Sequence, residues 1–186
     1  MKKILSTLVD MQTGVYTKPQ PNGQVYYVQA RHFDENREFI PSVKPDLELD
    51  SRLEKHYLQL GDVLVAAKGA NHFAVAYKGI IKPAVASSMF IVLRIKNVDV
   101  LSSEFLAWFI NNPTTQAILA GNEKGTSIPS INKGDLESLE IFLPSVQKQQ
   151  SILKIQALRQ KEISLQKQKD VLKEQYIHQI ISNTLK

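Results

Sequence analysis

The last forty residues contain no glycine and no proline, whereas all 8 Gly and all 8 Pro lie at or before Pro144. A run of that length without either helix breaker, and with nine Gln in it, has one economical solution, a single continuous helix. Pro144-Ser145 ends what precedes it and supplies an N-cap hydroxyl. At 1.5 Å per residue the helix would be about 60 Å long, too long to bury its apolar stripe on a body of under 150 residues. A second helix is therefore expected to lie along it. The alternative is a helix folded back on its own domain. Leu158, Leu165 and Leu172 recur at seven, and Gln179 follows in phase. Their companions Ile155, Glu162, Lys169 and Tyr176 are mixed, which argues against a tight parallel zipper. Ile152, Ile163, Ile177, Ile180 and Ile181 broaden the stripe.

The same boundary divides the charge. Residues 1–146 carry 15 Lys+Arg and 15 Asp+Glu, while residues 147–186 carry 8 and 3, so the whole formal charge of +5 belongs to the tail. The chain divides into a body at 1–144 and a helix at 145–186. A net positive charge permits a polyanionic partner without requiring one. Cysteine is absent, which excludes a disulfide framework, a thiolate zinc site and a cysteine nucleophile. The opening MKKIL looks briefly like a signal sequence, but Thr7 and Asp10 break the apolar run. The apolar stretch Phe105 to Ile110 is far too short to span a membrane, so the chain reads as soluble and cytoplasmic.

The body reads as α+β. The spacing of Ile4 to Met11 predicts a short amphipathic helix. Strand character runs through Val25–Ala30, Val63–Ala67, Phe73–Tyr77, Ser88–Ile95 and Glu140–Leu143. Ser102 or Ser103 can cap a helix reaching Asn112, and Pro113 restarts one that Gly121 ends. Asn132 to Leu136 forms a short turn or helix.

Catalytic constellations fail one by one. Asn111-Asn112-Pro113-Thr114 lacks the second Pro and the aromatic residue of the amino-methyltransferase Asn-Pro-Pro-Tyr motif, and reads better as a helix junction. Gly121-Asn122-Glu123-Lys124-Gly125-Thr126-Ser127 has phosphate-loop residue types in an order that is not a P-loop. His32, His56, His72 and His178 include no pair at helical metal-site spacing, and no paired carboxylates stand out. A stand-alone nuclease is correspondingly disfavoured.

Four segments, in order, resemble the DNA specificity subunit of type I restriction-modification systems. They are Ile4 through Gly14, Val25 to Phe33, Leu60-Gly61-Asp62-Val63-Leu64-Val65-Ala66-Ala67-Lys68-Gly69, and Gly125 to Leu136 leading into Leu139-Glu140-Ile141-Phe142-Leu143-Pro144 and then Gln149 and Ile152. Ser145 stands where the family usually has a second Pro, and Lys148 where it has Glu. The resemblance covers essentially the whole chain, which holds one target recognition domain and one long helix where family members carry two of each. It implies a half subunit whose copies pair antiparallel through Ile155, Leu158, Leu165, Leu172 and Tyr176. Such a dimer would read an interrupted palindrome. It further implies double-stranded DNA, an adenine methyltransferase subunit and a restriction subunit as partners. The chain itself would hold no catalytic residue and no cofactor, S-adenosylmethionine belonging to the methyltransferase. A protein that docks on the methyltransferase without reading DNA, or a silent cassette, is the other reading.

On that resemblance the candidate DNA contacts are Arg31, His32, Lys68, Asn71, His72 and Lys78, with Lys124, Thr126, Ser127 and Lys133. Lys68 follows a strand and precedes Gly69, Arg31-His32 ends another strand, and Lys124 to Ser127 combines charge with two hydroxyls. Tyr26, Tyr27, Phe73 and Tyr77 read as packing residues rather than base-stacking ones.

Overall fold

The structure is a computed structural model that describes residues 1–40, 42–69, 71–121 and 130–184. They fall into two compact units, Met1–Val146 and Gln147–Lys186. The first unit is α+β, and the second is the greater part of a single helix.

The centre of the first unit is a four-stranded antiparallel sheet in the order β2 (Val9–Thr13), β7 (Phe90–Ile95), β4 (Val63–Ala66), β5 (Phe73–Ala76). Every residue of β4 is buried, which is why Val63 to Ala66 reads as an unbroken apolar run instead of an alternation. Leu64 and Ala66 join Phe90 and Val92 in the main core cluster, where Val28, Leu58 and Tyr77 close over them. The helix α2 (Ser103–Asn111) packs on β4 and β5 through a face that includes Phe105, Leu106 and Ile110. Ser102 caps it by accepting the Phe105 N–H at 3.1 Å. Two smaller pairings complete the unit. β3 (Tyr26–Val28) runs parallel to β6 (Ala84–Ala86), and β1 (Lys2–Ile4) runs antiparallel to β8 (Glu140–Phe142). The short helices α1 (Ser51–Glu54), α3 (Pro113–Gly121) and α4 (Lys133–Glu137) fill the connections, and α4 is held by a reciprocal Asn132–Asp135 capping box.

The N-terminus departs from expectation. Ile4 to Met11 is not a helix: β1 gives way to a 3-10 turn at Leu5–Thr7, and β2 follows. The helix-like spacing of Leu5, Leu8 and Val9 does mark buried residues. It marks a corner between two strands, however, because β8 and β7 offer the two halves of the segment separate ladders. Ala84–Ala86 has no strand signature of its own and becomes one by pairing with β3.

The helix α5 (Val146–Thr184) has 39 residues, about 58 Å of rod. Along it Ile155, Leu158, Leu165, Leu172 and Tyr176 are 54–66% exposed. No described helix is long and apolar enough to cross a membrane.

Candidate nucleic-acid interface

β4 and β5 form a hairpin whose connection holds Lys68, Gly69, Asn71 and His72. Gly69 adopts φ +108, a conformation an L side chain rarely takes, so the turn needs glycine there. Both ends of the connection are tied down. Ala67 donates its N–H to Met89 O and accepts the Ile131 N–H, while Lys68 bridges Ser130. The His72 Nδ1–H donates to Ala66 O at 3.0 Å, so that ring closes the hairpin. The outer edge of β5 is held by Asn111, whose amide accepts from Ala74 N–H at 2.9 Å and donates to Ala74 O at 2.7 Å. Asn112 caps α3 by accepting the Thr114 N–H. The Asn-Asn-Pro segment is thus the helix junction expected of it.

A second segment faces this hairpin. After β3 the chain turns through a 3-10 helix, Ala30–His32, and then loops from Phe33 to Phe39, which bridge each other. Asp34 organises the loop tip by accepting the Asn36 and Glu38 N–H groups. Between the loop and the hairpin lies a cleft of about 600 Å3, whose lining includes Glu35, Arg37, Lys68 and Asn71 at polar positions and Phe33 and Phe73 at apolar ones. The aromatic residues are rigidly set. Phe33 meets Phe73 edge-on at 5.7 Å between centroids, and both meet the buried Phe90 at 6.1 Å. Cations and carboxylates share the walls, so a body with no net charge still presents a locally structured field.

The structure brings two of the expected residues, Lys68 and Asn71, to this cleft. Others lie elsewhere. Arg31 and His32 do not end a strand; they sit in the 3-10 turn, because the Gln29 side chain accepts from the His32 backbone while His32 Nδ1 accepts the Gln29 N–H at 3.2 Å. Arg31 Nε contacts His32 Nε2 at 3.3 Å. Lys78 bonds Glu38 at 3.1 Å and lines a smaller pocket that shares Phe33 and Arg37 with the cleft. Lys133 pairs with Glu137 on α4. Lys124, Thr126 and Ser127 lie outside the described residues. Tyr27 and Tyr77 are buried, and Tyr26 and Phe73 pack against the main core. Sequence reasoning missed Phe33, Glu35 and Arg37. The signal was present in a charged run, Asp34-Glu35-Asn36-Arg37-Glu38, held between two phenylalanines.

Burial lowers the His32 pKa below its ordinary 6.5, and the neighbouring Arg31 adds to this. The neutral ring is also what the Gln29 N–H requires as acceptor. A base depressed on folding contributes stability that is complete above its unfolded pKa and is lost as pH falls through the folded one. Urea midpoints are therefore expected to decline below about pH 6.5, with a shallower decline in His32→Gln. Superimposable pH profiles for the two proteins would contradict this.

Residues 20–174 match the family model described as "Type I restriction modification DNA specificity domain". No curated protein matches the chain. Among solved structures, the fold is similar to the HsdS subunit from Thermoanaerobacter tengcongensis, with a TM-score of 0.65 and 22% identity over 90% of this chain and 44% of that one. It is also similar to the S subunit of a type I restriction-modification system from M. genitalium, with a TM-score of 0.54 and 15% identity over 87% of this chain and 39% of that one. A third similar chain comes from a structure on complex assembly and conformational transition of the type I system, with a TM-score of 0.57 and 16% identity over 88% of this chain and 39% of that one. This chain therefore spans about two-fifths of the length of the subunits it resembles.

Proposed function

The chain belongs to the type I restriction modification DNA specificity family, and from that membership we propose that it reads one half-site of duplex DNA for a separate adenine methyltransferase and restriction subunit. The observation that carries the reading is the cleft between the Phe33–Phe39 loop and the β4–β5 hairpin, which joins cationic, amide and carboxylate side chains on an aromatic support. Lys68 beside Gly69 suits a phosphate, which positions the domain. Asn71 has the donor–acceptor pair that matches adenine in the major groove, and Glu35 can accept from the cytosine amino group. The support matters because groups on rigid elements discriminate bases better than groups on loose ones.

In this reading the chain performs no chemistry. The methyltransferase extrudes the target adenine and holds S-adenosylmethionine. One recognition unit and one helix make half a reader, and two copies joined through α5 make a whole one. A two-fold dimer presents identical readers in opposite directions, so the methylated sequence is an interrupted palindrome.

Co-expression with the methyltransferase subunit as the sole specificity chain, followed by mapping of methylated adenines, tests this. The expected outcome is one palindromic, interrupted motif that disappears with the gene. Co-purification with the methyltransferase but no motif and no footprint would leave a docking protein that reads nothing. In binding titrations Lys68→Ala is expected to weaken affinity for all sequences alike and to reduce the salt slope by about 0.9. An unchanged slope removes Lys68 from the phosphate contacts.

A further inference from the structure

We propose that Arg37 is a guanine-reading residue of this chain, its guanidinium forking onto O6 and N7 of one guanine in the major groove. The inference deepens the DNA reading above and rests on it. Its starting point is the backbone. Phe33 and Phe39 bridge each other, Asp34 N–H donates to Glu38 O at 3.0 Å, and Arg37 N–H donates to Asp34 O at 2.9 Å. The segment is therefore a tight hairpin with Glu35, Asn36 and Arg37 at its tip. A three-residue hairpin loop of this kind ends on a left-handed residue, for which glycine is the ordinary choice. Arg37 takes that place with φ 64. The other left-handed positions among the described residues are Gly61, Gly69, Gly79 and Asn22, residue types that tolerate the conformation. An arginine held there is a local conflict between side chain and backbone, and such conflicts gather at binding sites.

The side chain has no task inside the fold. Its neighbours are already engaged: Glu38 pairs with Lys78, and Asp34 Oδ1 accepts the Asn36 and Glu38 N–H groups. Arg37 itself enters no side-chain hydrogen bond or ion pair among the described residues. It is exposed, yet it lines both the cleft and the smaller pocket, and burial lowers its pKa from the ordinary value. A guanidinium partly stripped of water, with no ion-pair partner, is a fork of donors without an acceptor. The fork also selects what it meets. Guanine offers two acceptors, O6 and N7, on one groove edge, and a guanidinium matches them with two parallel bonds. A phosphate is served by charge alone, which Lys68 in the same cleft supplies. The Asp34 bonds fix the tip and so aim the fork, and a fixed aim is what base discrimination requires.

The test maps methylated adenines for the parent, Arg37→Gly and Arg37→Asn, each as the full chain co-expressed with the methyltransferase subunit. The parent motif is expected to hold a guanine whose position relaxes in both variants while the other positions keep their preference. Discrimination at that position is expected to fall about tenfold or more. Binding titrations on the mapped motif then probe the atom. Replacing that guanine with 7-deazaguanine, which lacks the N7 acceptor, is expected to weaken the parent about fivefold or more. The same replacement is expected to leave Arg37→Gly within about twofold of its own affinity for the unmodified site. Glycine and asparagine both suit the left-handed backbone, so the urea midpoints of the variants are expected at or above that of the parent. Lower midpoints would contradict the argument from the backbone. Equal weakening on all sequences, with a parent indifferent to 7-deazaguanine, would make Arg37 a phosphate contact and overturn the proposal. Unchanged motifs in both variants would overturn it too, as would loss of methyltransferase co-purification with DNA binding intact. A parent that yields no motif and no footprint is a separate result: it removes the DNA reading itself, and the guanine contact with it.

Discussion

Gly14→Ala is expected to destabilise the first unit by about 3 kcal/mol or more, seen as a lowered urea midpoint with an unchanged slope. An added Cβ would lie 2.1 Å from Ser87 O and 2.6 Å from Ala86 O. These are backbone atoms, and they cannot yield cheaply. Ala86 ends β6, which is laddered to β3, and its carbonyl accepts the Val15 N–H at 2.9 Å. Gly14 itself donates to Phe90 O at 2.9 Å. The glycine is where the end of β2 passes against the β6–β7 connection, and no side chain fits between them. Gly61→Ala makes a useful contrast. The space there is open, its nearest neighbour being Ser103 Oγ at 4.0 Å, but φ is +89. Its cost is conformational and smaller, about 1–2 kcal/mol. Equal losses at the two sites would refute the close-approach argument.

Asp62→Ala is expected to cost about 3 kcal/mol, the lower end of the range for breaking a buried ion pair. The Asp62 side chain is 1% exposed and receives Arg94 in a two-pronged contact, Nε at 2.8 Å and Nη2 at 2.7 Å. It also accepts the Gln59 N–H at 2.8 Å, and the Asp62 carbonyl accepts Tyr77 N–H at 2.7 Å. Arg94 donates in addition to Tyr57 O. The carboxylate therefore fastens β7 to the turn before β4, while the Asp62 backbone carbonyl holds the residue that follows β5. Arg94 keeps 32% of its side chain in solvent, which spares part of the desolvation penalty when its partner is removed. The Asp62 hydrogen bond is the leading cause that raises the Arg94 pKa, so the guanidinium remains charged throughout. Asp62→Asn keeps the shape and an acceptor for Gln59, and is expected to lose about half as much. A loss below about 1 kcal/mol for Asp62→Ala would mean that the pair is dispensable. DNA affinity of the folded fraction is expected to be unchanged in both variants, because neither Asp62 nor Arg94 lines the cleft.

Much of the fold was legible because it depends on local chemistry. The Ser102 cap, the restart at Pro113 and the long helix after Pro144 are set by residues that act within a few positions of themselves. Val63–Ala66 was legible for a related reason, since a run buried on both faces has one composition. Leu5 to Val9 misled because helical spacing and a corner between two strands bury the same positions. Which one forms depends on β7 and β8, over eighty residues away. Lys68 and Asn71 were legible as a turn after a strand, but their partner wall was not. Glu35 and Arg37 meet them only because β3 pairs with β6 and directs the Phe33–Phe39 loop toward the hairpin.

The sequence by itself determined that this chain has a neutral body and one long cationic helix, because helix breakers and charge counts need no tertiary information. It determined the family as well, since motif order survives without coordinates. Tertiary structure alone decided which of the candidate side chains share a cleft. It separated Lys68 and Asn71 from Arg31, Lys78 and Lys133, whose nearest polar partners are His32, Glu38 and Glu137. The reason is physical. A residue's type sets what it can bond, but a site needs several such groups within a few ångströms of one another. That proximity comes from sheet pairing between segments far apart in the chain.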